Sequence, residues 1–355
     1  MVLNYHKGGG YHKMKKIFVN EIEENEKVES IFLVKQKSIL LTKAGNPYLN
    51  LILMDKTGEI KGRVWEQAES LAKLFQKDDF IRIKSTAVTY QNSLQLNISK
   101  IALCPLSEIE ITDFLPHTKH DIEQTFLKLK TIIEEIKNPH LKQLLELFMA
   151  DEQVVRLFKI SPAAKELHHV YLGGLLEHTL SVSNLILQVC KHYEGLNVDL
   201  LLTGGILHDI GKIHEITYSR SFDYSDSGRL IGHITMGVEM ITDKIRLIPD
   251  FPHELATALK HLIISHHGEY HYGSPKRPKT LEALILYYLD DLDAKVEGVQ
   301  CFIQREEENQ SKCAGYHQML ERYIYKSLDL RDQKNAESTQ GEGYNCLPKN
   351  SREEG

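Results

Sequence analysis

The chain has 355 residues, 42% of them hydrophobic and 26% charged, with a formal net charge of −6. Single cores stop growing at roughly 250 to 300 residues, so two modest domains are expected, and the composition is that of a soluble globular protein and excludes a wholly disordered one. The negative balance excludes a histone-like wrapping of nucleic acid but leaves room for a local basic groove.

The five cysteines, Cys104, Cys190, Cys301, Cys313 and Cys346, are odd in number, scattered and free of any Cys-x-x-Cys spacing. They suggest neither a disulfide framework nor a zinc ribbon, and a reducing cytoplasmic setting is expected. The polar N-terminus lacks the apolar stretch of a signal peptide, and no later run approaches the roughly 20 apolar residues of a membrane span, so no membrane partner is expected.

Residues 1–16, with Gly8, Gly9 and Gly10, read as a flexible leader. From 17 to 105 the pattern is of short strands at 30–41, 48–55, 59–65, 80–90 and 94–103, the second and third joined by the turn DKTG at 55–58. A helical insert at 66–75 follows the third strand. Five strands with a helix between the third and fourth resemble the OB barrel, a closed sheet that commonly binds oligonucleotides across one face. After Cys104-Pro105 the apolar spacing changes to three and four residues. Helices are expected at 121–136, 141–149 and 153–158, a connector spanning 106–159. A bundle at 160–328 follows, with helices at 174–191, 199–208, 233–245, 254–266 and 281–299 and helical character to about 328. The tail, 329–355, has little to bury and reads as disordered. The expected architecture is multidomain β plus α: a five-stranded OB-like barrel, then an all-α bundle.

The joints of the bundle carry most of the chemistry. His208-Asp209 ends an apolar helix. Neighbouring helical side chains point about 100° apart, so the two grip one ion only if the helix end turns there, as Gly211 would permit, or if two ions are shared. Alone, the dipeptide is a weak signal. His178 on an apolar helix, His233 after Gly232, His266-His267 at a helix end and Asp290 at the end of the run 283–289 strengthen it, because each is costly to bury unless paired or metal-bound.

The order His178, His208-Asp209, Asp290 resembles the HD superfamily of metal-dependent phosphohydrolases, and His233 with His266-His267 resembles its members with more than one metal. With the OB-like segment and the strings GGLLEHTLSV, LHDIGK, GRLIGHI, SHHGEYHYGSPKRPKTLEAL and LDDLDAK, the chain is similar to the YhaM-type 3′-to-5′ exoribonucleases over about 17–325. The resemblance implies that His178, His208, Asp209 and Asp290 hold one divalent ion. Asp209, as a bridge, would share a second with His233, His266 and His267. Mixed imidazole and carboxylate ligation suits Mn²⁺, Fe²⁺, Zn²⁺ or Ni²⁺ over Ca²⁺ or Mg²⁺. The family points to Mn²⁺, one or two ions per chain. Asp290 aligns with the family ligand, and Asp291, one residue on, stays open as an alternative.

Metal-activated hydroxide would attack phosphorus, with Lys212 placed to reach a phosphate oxygen unless it is a solvated helix-end lysine. Arg229, Lys276 and Lys279 are further phosphate candidates. On the barrel, Trp65, Tyr48 and Tyr90 could stack on bases while Lys35 and Arg63 follow phosphates. The alternative for Trp65 is a plug at the barrel end. No P-loop, dinucleotide fingerprint or nucleophile-elbow serine occurs, so hydrolysis rests on metal. The resulting expectation is an exonuclease acting from the 3′ end on single-stranded RNA, with DNA as a second substrate, releasing nucleoside 5′-monophosphates. A nucleotide or cyclic-dinucleotide phosphohydrolase with a regulatory barrel, and a non-enzymatic single-strand-binding protein, stand beside it. Nothing in the sequence sets an oligomeric state.

Overall fold

A computed structural model describes residues 17–91, 93–165, 171–218, 222–305, 313–318 and 320–326; the expected leader and tail lie outside these. The first segment is a closed barrel of β1 (Lys27–Leu41), β2 (Pro47–Asp55), β3 (Gly58–Val64), β4 (Phe80–Tyr90) and β5 (Ser93–Leu103), in the order β1-β2-β3-β5-β4. Alternation builds it. Along β2, Leu49, Leu51 and Leu53 point inward and are fully buried while Tyr48, Asn50 and Ile52 between them are only half-buried. The long β1 serves both neighbours, pairing Lys27–Leu33 with β4 and Leu33–Leu41 with β2 across a bulge at Val34/Gln36. Parallel pairing of β3 with β5, Lys61 opposite Gln95 and Arg63 opposite Asn97, closes the circle.

The helical insert is shorter than expected. Gln67 takes a left-handed φ of 52°, which delays the start, and α1 covers only Ala68–Ala72. Ala68, Ala72 and Phe75 pack into the barrel core, so this segment supplies the plug.

The helices that follow are α2 (Ile122–Glu134), α3 (Pro139–Met149) and α4 (Glu152–Ile160). Their starts are set by Asp121, Asn138 and Asp151, whose side chains accept from the first free backbone N–H groups. Then come α5 (Gly174–His192), α6 (Val198–Leu207), the short α7 (Lys212–Glu215), the two-stranded hairpin of β6 (Ile216–Thr217) and β7 (Asp223–Tyr224), α8 (Asp226–Ile231), α9 (His233–Ile245), α10 (His253–Ser265) and α11 (Leu281–Arg305). One core joins α2 to α6 with α9 to α11. α6 lies at its centre: Leu200 to Leu207 are all buried, as befits a helix apolar on every side.

Helical character does not run on to 328 as expected. β8 (Cys313–His317) and β9 (Arg322–Tyr325) form an antiparallel hairpin after α11. The alternation in CAGYH and RYIY, with Gly315 at φ 128°, suits strands and was obscured by the polar composition around it.

A third apolar cluster seats the barrel on the helices. Ile31, Leu33 and Phe80 of the barrel, Cys104 just after β5, Phe114 and Leu115 of the connector and Leu172 before α5 form it, with Tyr218 and Phe222 of the β6–β7 hairpin packed against it. Phe80 and Phe114 meet edge to face at 4.8 Å. Among the described residues no helix is long and apolar enough to cross a membrane, and Cys104, Cys190, Cys301 and Cys313 are free thiols.

Candidate metal centre and nucleic-acid interface

Five separate helices deliver the polar groups to one place. α5 brings His178, the end of α6 brings His208 and Asp209, the start of α9 brings His233, the end of α10 brings His266 and His267, and α11 brings Asp290. They form two groups, His178 with His208 and Asp290, and His233 with His266 and His267, the ligand atoms of each group lying within 4.8 Å of one another. Asp209 lies between the groups. Its Oδ2 is 3.3 Å from His208 Nε2 and 3.7 Å from His178 Nε2. Its Oδ1 is 3.4 Å from His233 Nε2 and 3.6 Å from His266 Nε2.

The imidazoles are oriented from behind. His178 Nδ1 is 2.8 Å from Asp293 Oδ2, and Asp293 in turn accepts from Ser181. His208 Nδ1 is 2.8 Å from the Gly205 carbonyl and His266 Nδ1 is 2.6 Å from that of Ile263. His233 Nδ1 is 3.0 Å from Glu215, and His267 Nδ1 is 2.9 Å from the Tyr272 carbonyl. Five partners thus lie against the five Nδ1 atoms and leave the five Nε2 atoms pointing into the two groups, the arrangement of metal-ligating histidines.

The polar atoms left over are informative. Asp209 Oδ1, His233 Nε2 and His266 Nε2 are buried and have no hydrogen-bond partner. An unsatisfied buried polar group costs about 1 to 3 kcal/mol, and more if charged. All three lie on the side of the His233, His266, His267 group, where one divalent ion would satisfy them at once, so the donor set there fits metal. The imidazole and carboxylate mixture suits a first-row transition ion.

The two groups differ electrostatically. Burial opposes charge on His208, yet Asp209 and Asp290 beside it raise its pKa to about 10. His178 is likewise raised against its burial by Asp290 and Asp293. In the other group burial and the neighbouring His266 lower His267 to about 4, and burial lowers His266 as well. Asp209 and Asp290 stay well below the usual carboxylate range despite burial: Lys212 and His208 hold down Asp209, and His178 and His208 hold down Asp290.

Two local expectations change. Gly211 has φ −63°, an ordinary helical value, so it is not a left-handed cap. It is needed for space: a Cβ there would lie 2.0 Å from the His233 carbonyl, and only glycine lets the end of α6 approach the start of α9. Lys212 is not solvated. It is buried with its Nζ 2.6 Å from Asp209 Oδ2, fixing that carboxylate between the two groups and not standing free for a phosphate.

Asp291, the open alternative, faces away and pairs with Lys295 at 2.7 Å, while Asp290 Oδ1 lies 3.1 Å from His178 Nε2. Arg229 is tied to Asp223 at 2.7 Å on the β7 side. Lys276 and Lys279 are exposed in the loop after α10. Asp293 and Glu215 were missed by sequence reasoning. Asp293 lies three residues from Asp290 on the same helix, a spacing that could have flagged it; Glu215 carried no signal, because only the fold puts it against His233, 18 residues away.

On the barrel, Tyr48 and Trp65 stack with centroids 5.0 Å apart, and the Arg63 guanidinium lies 5.2 Å from the Tyr48 ring and donates to Gln95 at 3.0 Å. Trp65 is 47% exposed, so it is not the plug. Lys35 is committed to Glu59, and Tyr90 sits apart in the β4–β5 hairpin. The structure therefore gathers three of the five expected barrel residues.

Two family comparisons match this layout: an OB-fold nucleic acid binding domain over residues 33–103 and an HD domain over 175–295. Among solved structures, the second OB-fold domain of replication protein A from Methanococcus maripaludis is 20% identical, with 24% of this chain and 90% of that one covered and a TM-score of 0.21. The mitochondrial single-stranded DNA binding protein Rim1 of S. cerevisiae is 14% identical, covering 23% and 95%, also with a TM-score of 0.21. An aspartyl tRNA synthetase from Entamoeba histolytica is 10% identical over 54% of this chain and 41% of that one, with a TM-score of 0.23. The chain joins an OB fold to an HD domain, and the HD domain indicates a metal-dependent phosphohydrolase.

Proposed function

We propose that the protein is a 3′-to-5′ exonuclease that hydrolyses single-stranded RNA, and DNA as a second substrate, to nucleoside 5′-monophosphates. The observation that carries this reading is Asp209, buried between two groups of histidines with Oδ1 unpartnered, in a chain that also holds an OB barrel. The resemblance to the YhaM-type enzymes supports the direction, the RNA preference, Mn²⁺ as the metal and a cytoplasmic setting.

His178, His208, Asp209 and Asp290 would hold one ion; Asp209, His233, His266 and His267 the other. When bound, the ions supply an acidified water, Lewis acidity at phosphorus and neutralisation of developing charge. The chain's own groups prepare the site. Asp293, Glu215 and three carbonyls keep each imidazole in the tautomer with Nε2 forward. Lys212 holds the Asp209 carboxylate between the two groups and offsets its charge. Tyr48, Trp65 and Arg63 give a single strand a place to stack and pair its phosphates.

The test is to incubate purified protein with 5′-labelled and 3′-labelled RNA in Mn²⁺, with a chelator control. A ladder of shortened 5′-labelled products with immediate release of the 3′ label as mononucleotide is expected, and chelation abolishes it. Intact RNA beside hydrolysed nucleotides points to the nucleotide phosphohydrolase instead. Binding without any hydrolysis, in the metal-loaded protein, points to the single-strand-binding module.

A further inference from the structure

The loop after the paired histidines is built more rigidly than its exposure suggests. Gly268 turns the chain sharply at φ 75°, and the Tyr287 ring of α11 fills the space where a Cβ would stand, 2.2 Å away. Ser274 is buried and donates to the Lys276 carbonyl at 2.7 Å, with the Ile264 carbonyl 3.1 Å from the same hydroxyl. Arg277 pairs with Glu269 at 2.7 Å, and the Lys279 N–H donates to His261 at 2.9 Å. The backbone is therefore held at several points, one of them the Tyr272 carbonyl that accepts from His267.

On this held backbone two rings face solvent. Tyr270 is 63% exposed and Tyr272 57%, with the His271 ring 4.0 Å from that of Tyr272. Rings left out of the core on a fixed backbone, a short step along the chain from a metal-type cluster, have lost burial without gaining mobility. Lys276 and Lys279 add positive charge to the same loop, and neither has an ion-pair partner among the described residues.

We propose that Tyr270 and Tyr272 form a stacking platform for the nucleobase of the nucleotide whose phosphate occupies the metal centre, with Lys276 and Lys279 on the neighbouring backbone phosphate. The inference rests on the phosphodiesterase reading and names the part of the substrate that the metal cluster itself cannot recognise. Stacking reads a ring and not a base edge, so the platform accepts all four bases, as an enzyme that removes successive nucleotides requires.

The experiment compares AMP with ribose 5-phosphate, which differ only in the base, by calorimetric binding to the Mn²⁺-loaded full chain. AMP binds the unaltered protein at least about fivefold more tightly, the factor that corresponds to about 1 kcal/mol of stacking. In the variant Tyr270→Ala the AMP affinity falls towards that of ribose 5-phosphate, which itself is unchanged. The variant Tyr270→Phe, Tyr272→Phe keeps the preference because the rings remain. Equal binding of the two ligands by the unaltered protein, no binding of either, or an equal loss of both in the alanine variant overturns the proposal. Metal content and circular dichroism of each variant show that the centre and fold are intact. A preference for AMP in a protein that leaves RNA whole would keep the platform and remove the exonuclease reading.

Discussion

The outer face of the barrel and the cleft around Asp209 both display groups that bind nucleic acid or phosphate in other proteins, but they constrain function very differently. Tyr48, Trp65 and Arg63 satisfy one another at the surface, and their exposure costs the fold little. In the cleft, by contrast, three buried polar atoms have no partner and five imidazoles are aimed at one another. Such a cluster is unfavourable unless something fills it. The exposed face permits a ligand; the buried one requires one. The same contrast separates what can be altered cheaply from what cannot.

The sharpest break is at the bridge. Asp209→Ala removes the carboxylate that lies between both groups, and hydrolysis of labelled RNA should fall to background while binding, followed by fluorescence anisotropy, stays within about twofold because the barrel face is untouched. Retained hydrolysis would sink the two-group centre. Next in size is the pH response of metal loading. Nearby carboxylates hold His178 above the usual imidazole range and take His208 up to about 10, so an ion entering the His178, His208, Asp290 group must displace protons, and affinity there should rise at least about tenfold per pH unit between roughly pH 6 and 8. Burial holds His266 below the usual imidazole range and takes His267 down to about 4, so these two hold no competing proton in that window and loading of the other group should depend less steeply on pH. Calorimetry in buffers of different ionisation enthalpy reads the released protons; two sites with the same pH slope would contradict the asymmetry.

Smaller effects follow behind the ligands. Asp293→Ala and Glu215→Ala each remove an orienting partner, and each should weaken metal binding about ten- to hundredfold, recoverable by excess Mn²⁺ in the activity assay. An effect on folding alone, seen as a lowered melting temperature with unchanged metal affinity, would assign both residues to packing instead. On the barrel, Trp65→Ala should raise the KM for a long single strand roughly tenfold with kcat unchanged, the mark of binding shared by ground and transition states. The melting temperature should barely move, since Trp65 is not the plug; a large drop would contradict its placement. Phe75→Ala should do the reverse, costing about 3 to 5 kcal/mol of stability.

Local patterning was sufficient for much of the fold. Alternation in 48–55 and the polar turn at 55–58 determine β2 and β3, and the side chains of Asp121, Asn138 and Asp151 determine where α2, α3 and α4 begin. Those signals are written within a few residues, and burial of one face settles them. The histidines and aspartates of the centre were legible for a related reason: polar groups interrupting apolar runs are costly wherever the chain puts them, so their presence in the sequence already asks for a ligand. Helix spacing could not decide between Asp290 and Asp291, because the choice depends on which side of α11 meets α5 and α6.

What only tertiary structure decided are the relations across long separations. His178 meets Asp293, 115 residues on, and Glu215 meets His233 because Gly211 lets two helix ends approach within van der Waals contact. Lys212 turned inward to Asp209, Phe75 rather than Trp65 filled the barrel end, and Phe114 with Leu172 seated the barrel on the helices. Each of these outcomes depends on which surfaces are left to be buried once the local elements exist. That is a property of the packed whole, and no window of sequence contains it.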